Sequence, residues 1–314
     1  MKTVSLVIPC YNEAGVLDAL FERLDAATRA AGAYAFEIVC VNDGSTDRTL
    51  DKLLALRERR AGLVVVDLSR NFGKEAALSA GIQVAKGDAV IPMDADLQDP
   101  PDVIPRMLEL WEQGFEVVVA QRGDRRSDSM PKRLSAHWFY KVHNAMSDVA
   151  IPENAGDFRL MDRVVVDALN SLPENRRFMK GLFAWVGFRT ATVEYARTPR
   201  AAGTTRFTPW RLWNLAVEGI TSFSLLPLRV WTYVGVMVAV LSMAWGTYIV
   251  LRVLLYGKDM PGYASIIVAV TFIGGLQLIG IGVIGEYLGR TYMESKRRPP
   301  FVIRKVFSST VPRE

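Results

Sequence analysis

The stretch Gly87-Asp88-Ala89-Val90-Ile91-Pro92-Met93-Asp94-Ala95-Asp96-Leu97 decides how this chain is read. Its short apolar run, Ala89 to Met93, has the character of a buried strand. Two carboxylates one residue apart, Asp94 and Asp96, follow at its C-terminal end. Alternate side chains of an extended chain share a face, so an extended backbone here predicts that the two converge. Close anions repel unless a cation sits between them. Hard Mg²⁺ or Mn²⁺ suits one or two carboxylates plus the phosphate oxygens of a substrate. Open α/β sheets bind ligands beyond the carboxyl ends of their strands. The stretch therefore predicts a metal–diphosphate site. A solvated turn is the alternative, because Asp-x-Asp alone is a weak signal.

Outward from this stretch, strands alternate with helices. Val4 to Pro9 is a continuous apolar run, a candidate central strand. It closes in Cys10-Tyr11-Asn12-Glu13, where Asn12 is expected to cap a helix. Leu17, Leu20, Phe21 and Leu24 then recur at helical spacing. Phe36 to Val41 reads as a second strand, ending in Asn42-Asp43-Gly44-Ser45-Thr46-Asp47. Leu50, Leu53, Leu54 and Leu56 mark the next helix, and Leu63 to Leu68 a third strand. The loop Ser69-Arg70-Asn71-Phe72-Gly73-Lys74 precedes a small-residue helix over Ala76 to Ala85. The Asp94 strand is fourth, and Val117 to Ala120 a fifth. This order means βαβ units and a mostly parallel, Rossmann-like α/β sheet. No Gly-x-Gly-x-x-Gly follows any strand, which argues against a classical dinucleotide site.

The second half changes character twice. Arg122 to Arg133 is a polar, basic loop, and helical patterning resumes from Leu134 to Met146. Gly156 to Arg163 sets Asp157 and two arginines, Arg159 and Arg163, in and around an apolar segment. Phe188 to Tyr195 alternates as an edge strand, and the basic loop after it offers Arg197, Arg200 and Arg206 to anions. Trp210, Trp213, Val217, Ile220 and Phe223 then fall near one helical face. That pattern suits a membrane interface or a surface helix packed on the core. Neither Trp231 to Leu251 nor Ala264 to Gly285 contains a charged residue, and each reaches the roughly 20 residues a bilayer span needs. Only Arg252 to Tyr263 lies between them, so the pair reads as a transmembrane hairpin rather than two core helices. Arg229 precedes the first span, and Arg290, Lys296, Arg297 and Arg298 follow the second. The linker sets Arg252 and Lys258 against Asp259, so the basic excess favours both ends cytoplasmic. Trp231, Tyr233, Tyr287 and Tyr292 suit the aromatic belts. Gly274, Gly275, Gly280, Gly282 and Gly285 are expected to let the second span pack closely. Glu286 is expected to reach water or Arg290.

The expected plan is a catalytic domain over 1–207 and an amphipathic juxtamembrane helix over 208–228. A hairpin over 229–290 follows, with spans at about 230–256 and 264–288, and then a basic cytoplasmic tail over 291–314. Composition agrees. Half of the 314 residues are hydrophobic, and the mean hydropathy is +0.15. A net charge of +5 and a pI near 9.2 favour an anionic partner. Cys10 and Cys40 lie in apolar runs, so neither a disulfide framework nor a thiolate metal site is supported. Met1-Lys2 leads directly into a strand, so the N-terminal region is expected in the cytoplasm.

Val4–Glu13 (VSLVIPCYNE), Val41–Asp47 (VNDGSTD), Ser69–Ala77 (SRNFGKEAA) and Met93–Pro101 (MDADLQDPP) resemble glycosyltransferase family 2. GDFRLMDR at Gly156–Arg163, RFMKGLFAWVGF at Arg177–Phe188 and IGEYLGR at Ile284–Arg290 narrow the resemblance. They are similar to the polyprenyl-phosphate sugar synthases, above all the bactoprenol-phosphate glucosyltransferases. The resemblance implies a GT-A fold and inverting transfer of a hexose from a nucleotide sugar to polyprenyl phosphate, undecaprenyl phosphate in bacteria. UDP-glucose is the preferred donor and GDP-mannose, used by a mannose synthase, the alternative. The implied setting is the bacterial inner membrane, serving O-antigen or other cell-surface glycan, with a homo-tetramer compatible. Asp96, with Asp94, would hold Mg²⁺ or Mn²⁺. Pro9, Tyr11, Glu13, Asp43, Lys74, Asp94, Ala95, Asp96, Gln98 and Arg122 would bind the nucleotide sugar. Asp157, with Asp94, would be catalytic, Asp157 as base or as orienter of the acceptor phosphate. Arg133, Arg200 and Arg206 would take the lipid phosphate. Many relatives show Ser-Lys-aromatic where this chain has Thr205-Arg206-Phe207, and Arg does not replace Lys like for like at phosphate. Structural readings stand beside two of these roles: an Asx turn for Asp43 and an ion pair with Arg159 for Asp157.

Two other readings compete. A processive polysaccharide synthase needs a Gln-x-x-Arg-Trp motif, which Gln121 to Arg126 does not supply, and more spans than two. An inactive membrane adaptor or lipid carrier does not need Asp94, Asp96 and Asp157 intact. Nucleic-acid binding is poorly supported, because the basic residues lie beside the spans or the sugar site.

Overall fold

A computed structural model describes residues 1–123, 155–174, 177, 179–195, 226–257 and 262–308. Readings placed on 124–154 and 196–225 lie outside the described residues, the expected interfacial helix and Arg133, Arg200 and Arg206 among them.

The chain opens β1 (Thr3–Cys10), α1 (Leu17–Ala30), β2 (Ala35–Asn42), α2 (Thr49–Arg59), β3 (Leu63–Leu68), α3 (Lys74–Val84) and β4 (Ala89–Pro92). Then come α4 (Ile104–Glu112), β5 (Val117–Arg122), β6 (Ala155–Asp162), α5 (Arg163–Ser171), α6 (Met179–Trp185) and β7 (Thr190–Tyr195). Two long helices, α7 (Leu226–Tyr256) and α8 (Tyr263–Ser295), precede a last strand, β8 (Ile303–Phe307). The sheet order is β7-β5-β6-β4-β1-β2-β3-β8. Its centre, β4-β1-β2-β3, is parallel. Such strands are covered on both faces, which is why β3 and β4 are buried at every position and read as apolar runs, broken in β3 only by Asp67. Leu17, Leu20, Phe21 and Leu24 are all buried, so the apolar face read in α1 is its core face. Each such side chain contributes about 1.5–3 kcal/mol on leaving water.

β6 runs antiparallel between β4 and β5, and β7 lies at the edge, parallel to β5. The turn out of β6 is well held. Asp162 caps α5 by accepting from Val164 N at 3.0 Å. Arg163 donates back to the carbonyls of Ala85 and Gly87, satisfying oxygens that the end of α3 leaves open.

Three expectations are corrected. Asn12 caps no helix: α1 starts at Leu17 with no side-chain cap. Asn12 instead has φ 57°, and its Oδ1 accepts from Thr46 N at 2.8 Å, tying the β1 and β2 loops together. The segment over 291–314 is not simply a tail, because β8 pairs antiparallel with β3 and completes the sheet. Of the five glycines expected to bring the second span close to a neighbour, Gly280 alone has a side chain, that of Trp231, where a Cβ would sit.

α7 and α8 are long and apolar enough to cross a membrane. Their large apolar side chains are exposed, Leu254 at 76% and Met243 at 73%. Core helices of a soluble protein would be buried, so lipid is the solvent these helices fit. Glu286 meets Arg290 at 2.9 Å, four residues on.

Candidate active site

The carboxyl ends of the four parallel strands converge, as the topology requires. Pro9, Cys10, Tyr11 and Glu13 follow β1, Asp43 follows β2, Asn71, Gly73 and Lys74 follow β3, and Asp94, Ala95 and Asp96 follow β4. With Ala77 they line one cavity of about 590 Å³, within the range of small-molecule sites.

The Asp94–Asp96 corner is not extended. β4 stops at Pro92, the chain turns at Ala95 and Asp96, and Leu97 takes a left-handed φ of 59°. The strand alternation expected to align the two acids therefore ends before them. They share the cavity because the turn folds both toward it. Asp96 Oδ1 accepts from Gln98 N at 3.1 Å, which closes the turn.

Asp157 arrives from the opposite direction. β6 is antiparallel to β4, with Ala89 level with Asp162 and Val90 with Met161. Carried forward, that register sets Asp94 beside Asp157. Their side chains meet through one cation. Lys74 Nζ lies 2.7 Å from Asp94 Oδ1 and 2.7 Å from Asp157 Oδ2. Asp157 is nearly buried, its side chain 11% exposed, whereas Asp94 is open at 36%. Desolvation lowers the Lys74 pKa, but the two carboxylates outweigh it and hold it above the ordinary lysine value. Arg159 is not the partner of Asp157 in an ion pair. Its guanidinium lies over the Phe183 ring at 4.1 Å and donates to Gly156 O at 2.7 Å. Burial pushes its pKa down to about 10, against the pull of Asp157.

Asp43 spends its carboxylate on the neighbouring loop. It accepts from Phe72 N at 2.7 Å and Gly73 N at 2.9 Å. Burial raises its pKa, and those two amides and Arg70 oppose the rise. The Asx-type contact expected of Asp43 belongs to Asn42, whose Oδ1 accepts from Ser45 N at 3.3 Å. Gly44 makes the arrangement possible. Its φ is +62°, and a Cβ would lie 2.5 Å from the Arg70–Asn71 backbone.

Of the nucleotide-sugar candidates, Pro9, Tyr11, Glu13, Asp43, Lys74, Asp94, Ala95 and Asp96 are thus brought together. Gln98 is buried beside the corner and is absent from the cavity wall. Arg122 ends β5 level with Tyr195, and its side chain lies outside the described residues. Cys10, Asn71, Gly73 and Ala77 were not singled out from sequence. Asn71, Gly73 and Ala77 lie in the SRNFGKEAA motif, which could have pointed to them.

Among the described residues no cluster of three or more acid, histidine or cysteine side chains surrounds one point. Mg²⁺ or Mn²⁺ needs no such cage, since it keeps waters and substrate phosphate oxygens as ligands. Asp94 and Asp96 share one wall, and a cation that enters with a diphosphate would take Asp96 and share Asp94 with Lys74, which already meets both Asp94 oxygens, at 2.7 and 2.9 Å.

Comparison with known proteins identifies the family. "Glycosyl transferase family 2" matches residues 5–169, and "GtrB C-terminal hairpin" matches 226–291. An uncharacterized glycosyltransferase of Synechocystis sp. is 52% identical, over 96% of this chain and 94% of its own. The prophage bactoprenol glucosyl transferase homolog of Escherichia coli is 48% identical, over 96% and 99%. The bactoprenol glucosyl transferase of Shigella phage SfV is 49% identical, over 96% and 98%. This chain belongs to glycosyl transferase family 2, with a GtrB-type C-terminal hairpin.

Proposed function

We propose that the protein transfers glucose from UDP-glucose to polyprenyl phosphate, with inversion, at the cytoplasmic face of a bacterial inner membrane. One observation carries the reading. Lys74, on the cavity wall with Asp94 of the predicted donor corner, joins it to Asp157 of the predicted acceptor side, which does not itself line the cavity. The names of relatives near 49% identity supply the sugar and the lipid.

The chemistry follows from the groups present. An acceptor phosphate oxygen attacks the anomeric carbon, and the bond to the donor diphosphate breaks with its electron pair. A phosphate monoester has its second pKa near 6, so at neutral pH most of the acceptor arrives with no proton to lose. Little base catalysis is then asked of Asp157; its work is to hold Lys74, 2.7 Å away, and it takes a residual proton. Lys74 stays protonated and offers positive charge where the diphosphate departs. Asp96, with Asp94, would hold a divalent cation, which would supply Lewis-acid neutralisation of that diphosphate. Tyr11, 43% exposed on the cavity wall, presents a ring to the nucleotide base.

β8 supports the topology. Residues before and after the hairpin join one sheet, so both ends of the hairpin return to the same side of the membrane. The positive flanks make that side cytoplasmic.

The test is incubation of the membrane protein with undecaprenyl phosphate and a panel of nucleotide sugars, with Mg²⁺ or Mn²⁺. A glucosyl lipid formed from UDP-glucose is expected. Mannosyl lipid from GDP-mannose alone would replace the donor. Product on a soluble sugar phosphate and none on the lipid would overturn the reading.

A further inference from the structure

On its outer side β3 is bordered by β8, the last strand among the described residues. β8 begins after a connector of seven residues, Lys296 to Val302, that leaves the end of the hairpin helix α8. It does more than cover an edge. Ser69 opens the loop that carries Gly73 and Lys74 to the cavity, and both of its backbone groups are taken by this segment. Ser69 N donates to Val302 O at 2.9 Å, and Arg304 Nη2 donates to Ser69 O at 2.7 Å. Arg304 Nη1 also lies 3.3 Å from Asp67 Oδ2.

Asp67 is a buried carboxylate, its side chain 5% exposed. Its other oxygen accepts from Asn42 Nδ2 at 2.7 Å. Asn42 precedes Asp43, which holds the amides of Phe72 and Gly73 and whose carbonyl accepts from Asn71 Nδ2 at 3.2 Å. A closed ring results, running Arg304, Asp67, Asn42, Asp43, the 71–73 loop, Ser69 and back to Arg304. Arg304 is itself 60% exposed, so its ion pair is worth little alone; its loss matters because it leaves Asp67 buried with Asn42 as its side-chain partner. Asp67 would then have to shift or draw in water, and Asn42 moves with it.

We infer that Arg304 is a positioning residue for the nucleotide-donor pocket, acting through Asp67 and Asn42 on Asp43 and the 71–73 loop. The inference rests on the reading of the cavity as the donor site. It makes the strand that follows the membrane hairpin a working part of that site. Mere edge covering would instead tie β8 to stability and leave the loop as it is.

The experiment uses the full-length protein in detergent and reads two quantities. One is hydrogen exchange at the Phe72 and Gly73 amides, and the other is KM for UDP-glucose against kcat and the acceptor KM. Arg304→Ala is expected to speed exchange at both amides about tenfold and raise the donor KM about tenfold. kcat and acceptor KM should stay within about twofold. Arg304→Lys should recover most of both effects. Lys305→Ala, the next residue on β8, should change neither. Unchanged exchange or unchanged donor KM in Arg304→Ala overturns the inference, as does an equal effect from Lys305→Ala. If the wild type makes no glucosyl lipid, the functional reading falls on its own. Exchange at Phe72 and Gly73, with calorimetric UDP binding, still judges the ring.

Discussion

Lys74 shows how one side chain can organise a site. Two carboxylates from strands of opposite direction each come within 2.7 Å of its ammonium. Lys74→Met leaves Asp94 and Asp157 facing each other without a cation. We expect kcat to fall by about a hundredfold or more, with the fold intact by circular dichroism. The pH dependence has a definite sign. The folded pKa of Lys74 lies above its ordinary value of about 10.4, so the folded state holds the proton more tightly than the unfolded one. Its contribution to stability is whole below about pH 10.4 and fades as pH rises through the higher folded value. The difference in Tm between wild type and Lys74→Met should therefore be flat from pH 6 to 9 and shrink only in stronger base. A difference that collapses near pH 8 would contradict this. Asp96→Ala and Asp157→Ala should each abolish turnover in a folded protein, and a near-normal rate in either removes that residue from the mechanism. Asp94, Asp96 and Asp157 were all visible in the sequence. The lysine's place between two of them was not, since Lys74 lies twenty residues from one and eighty-three from the other.

Among elements, legibility follows burial. β1, β3 and β4 were readable because a strand covered on both faces is a nearly continuous apolar run, with Ser5 and Asp67 as the polar exceptions. α1 was readable because its buried residues keep helical spacing. β6 could be placed near an acid and two arginines, but nothing in eight residues says that it inserts antiparallel between β4 and β5. That pairing carries Asp157 toward Asp94, and Lys74 joins them. The turn after Pro92 stood only as the alternative to an extended corner, because its left-handed residue is Leu97, where a glycine would have announced it. β8 was missed because a five-residue edge strand with three exposed central residues resembles a tail. The β2–α2 turn permits a further test. Gly44→Ala forces a side chain into the Arg70–Asn71 backbone at a positive φ. A loss of about 2–3 kcal/mol in denaturant unfolding is expected. A loss below about 0.5 kcal/mol would show that the two loops do not depend on this contact.

On the scale of the molecule, a donor dissolved in water must meet an acceptor held in lipid. The chain answers with a parallel sheet that gathers its site at the strands' carboxyl ends, and with two apolar helices inserted before the sheet's last strand. Because β8 closes the sheet after the hairpin, Lys305→Cys should be labelled by an impermeant thiol reagent only from the cytoplasmic side. Gly257→Cys, between the two helices, should be labelled only from the other. Labelling of both from one side would refute the hairpin. The central claim is a single displacement in which the lipid phosphate itself attacks the sugar beside Lys74, Asp94 and Asp157. Its most direct measurement is the anomeric configuration, by proton NMR coupling, of the glucosyl lipid made from UDP-α-glucose. The account predicts the β-glucosyl phosphate; an α product would mean a covalent intermediate or another attacking group and would contradict it.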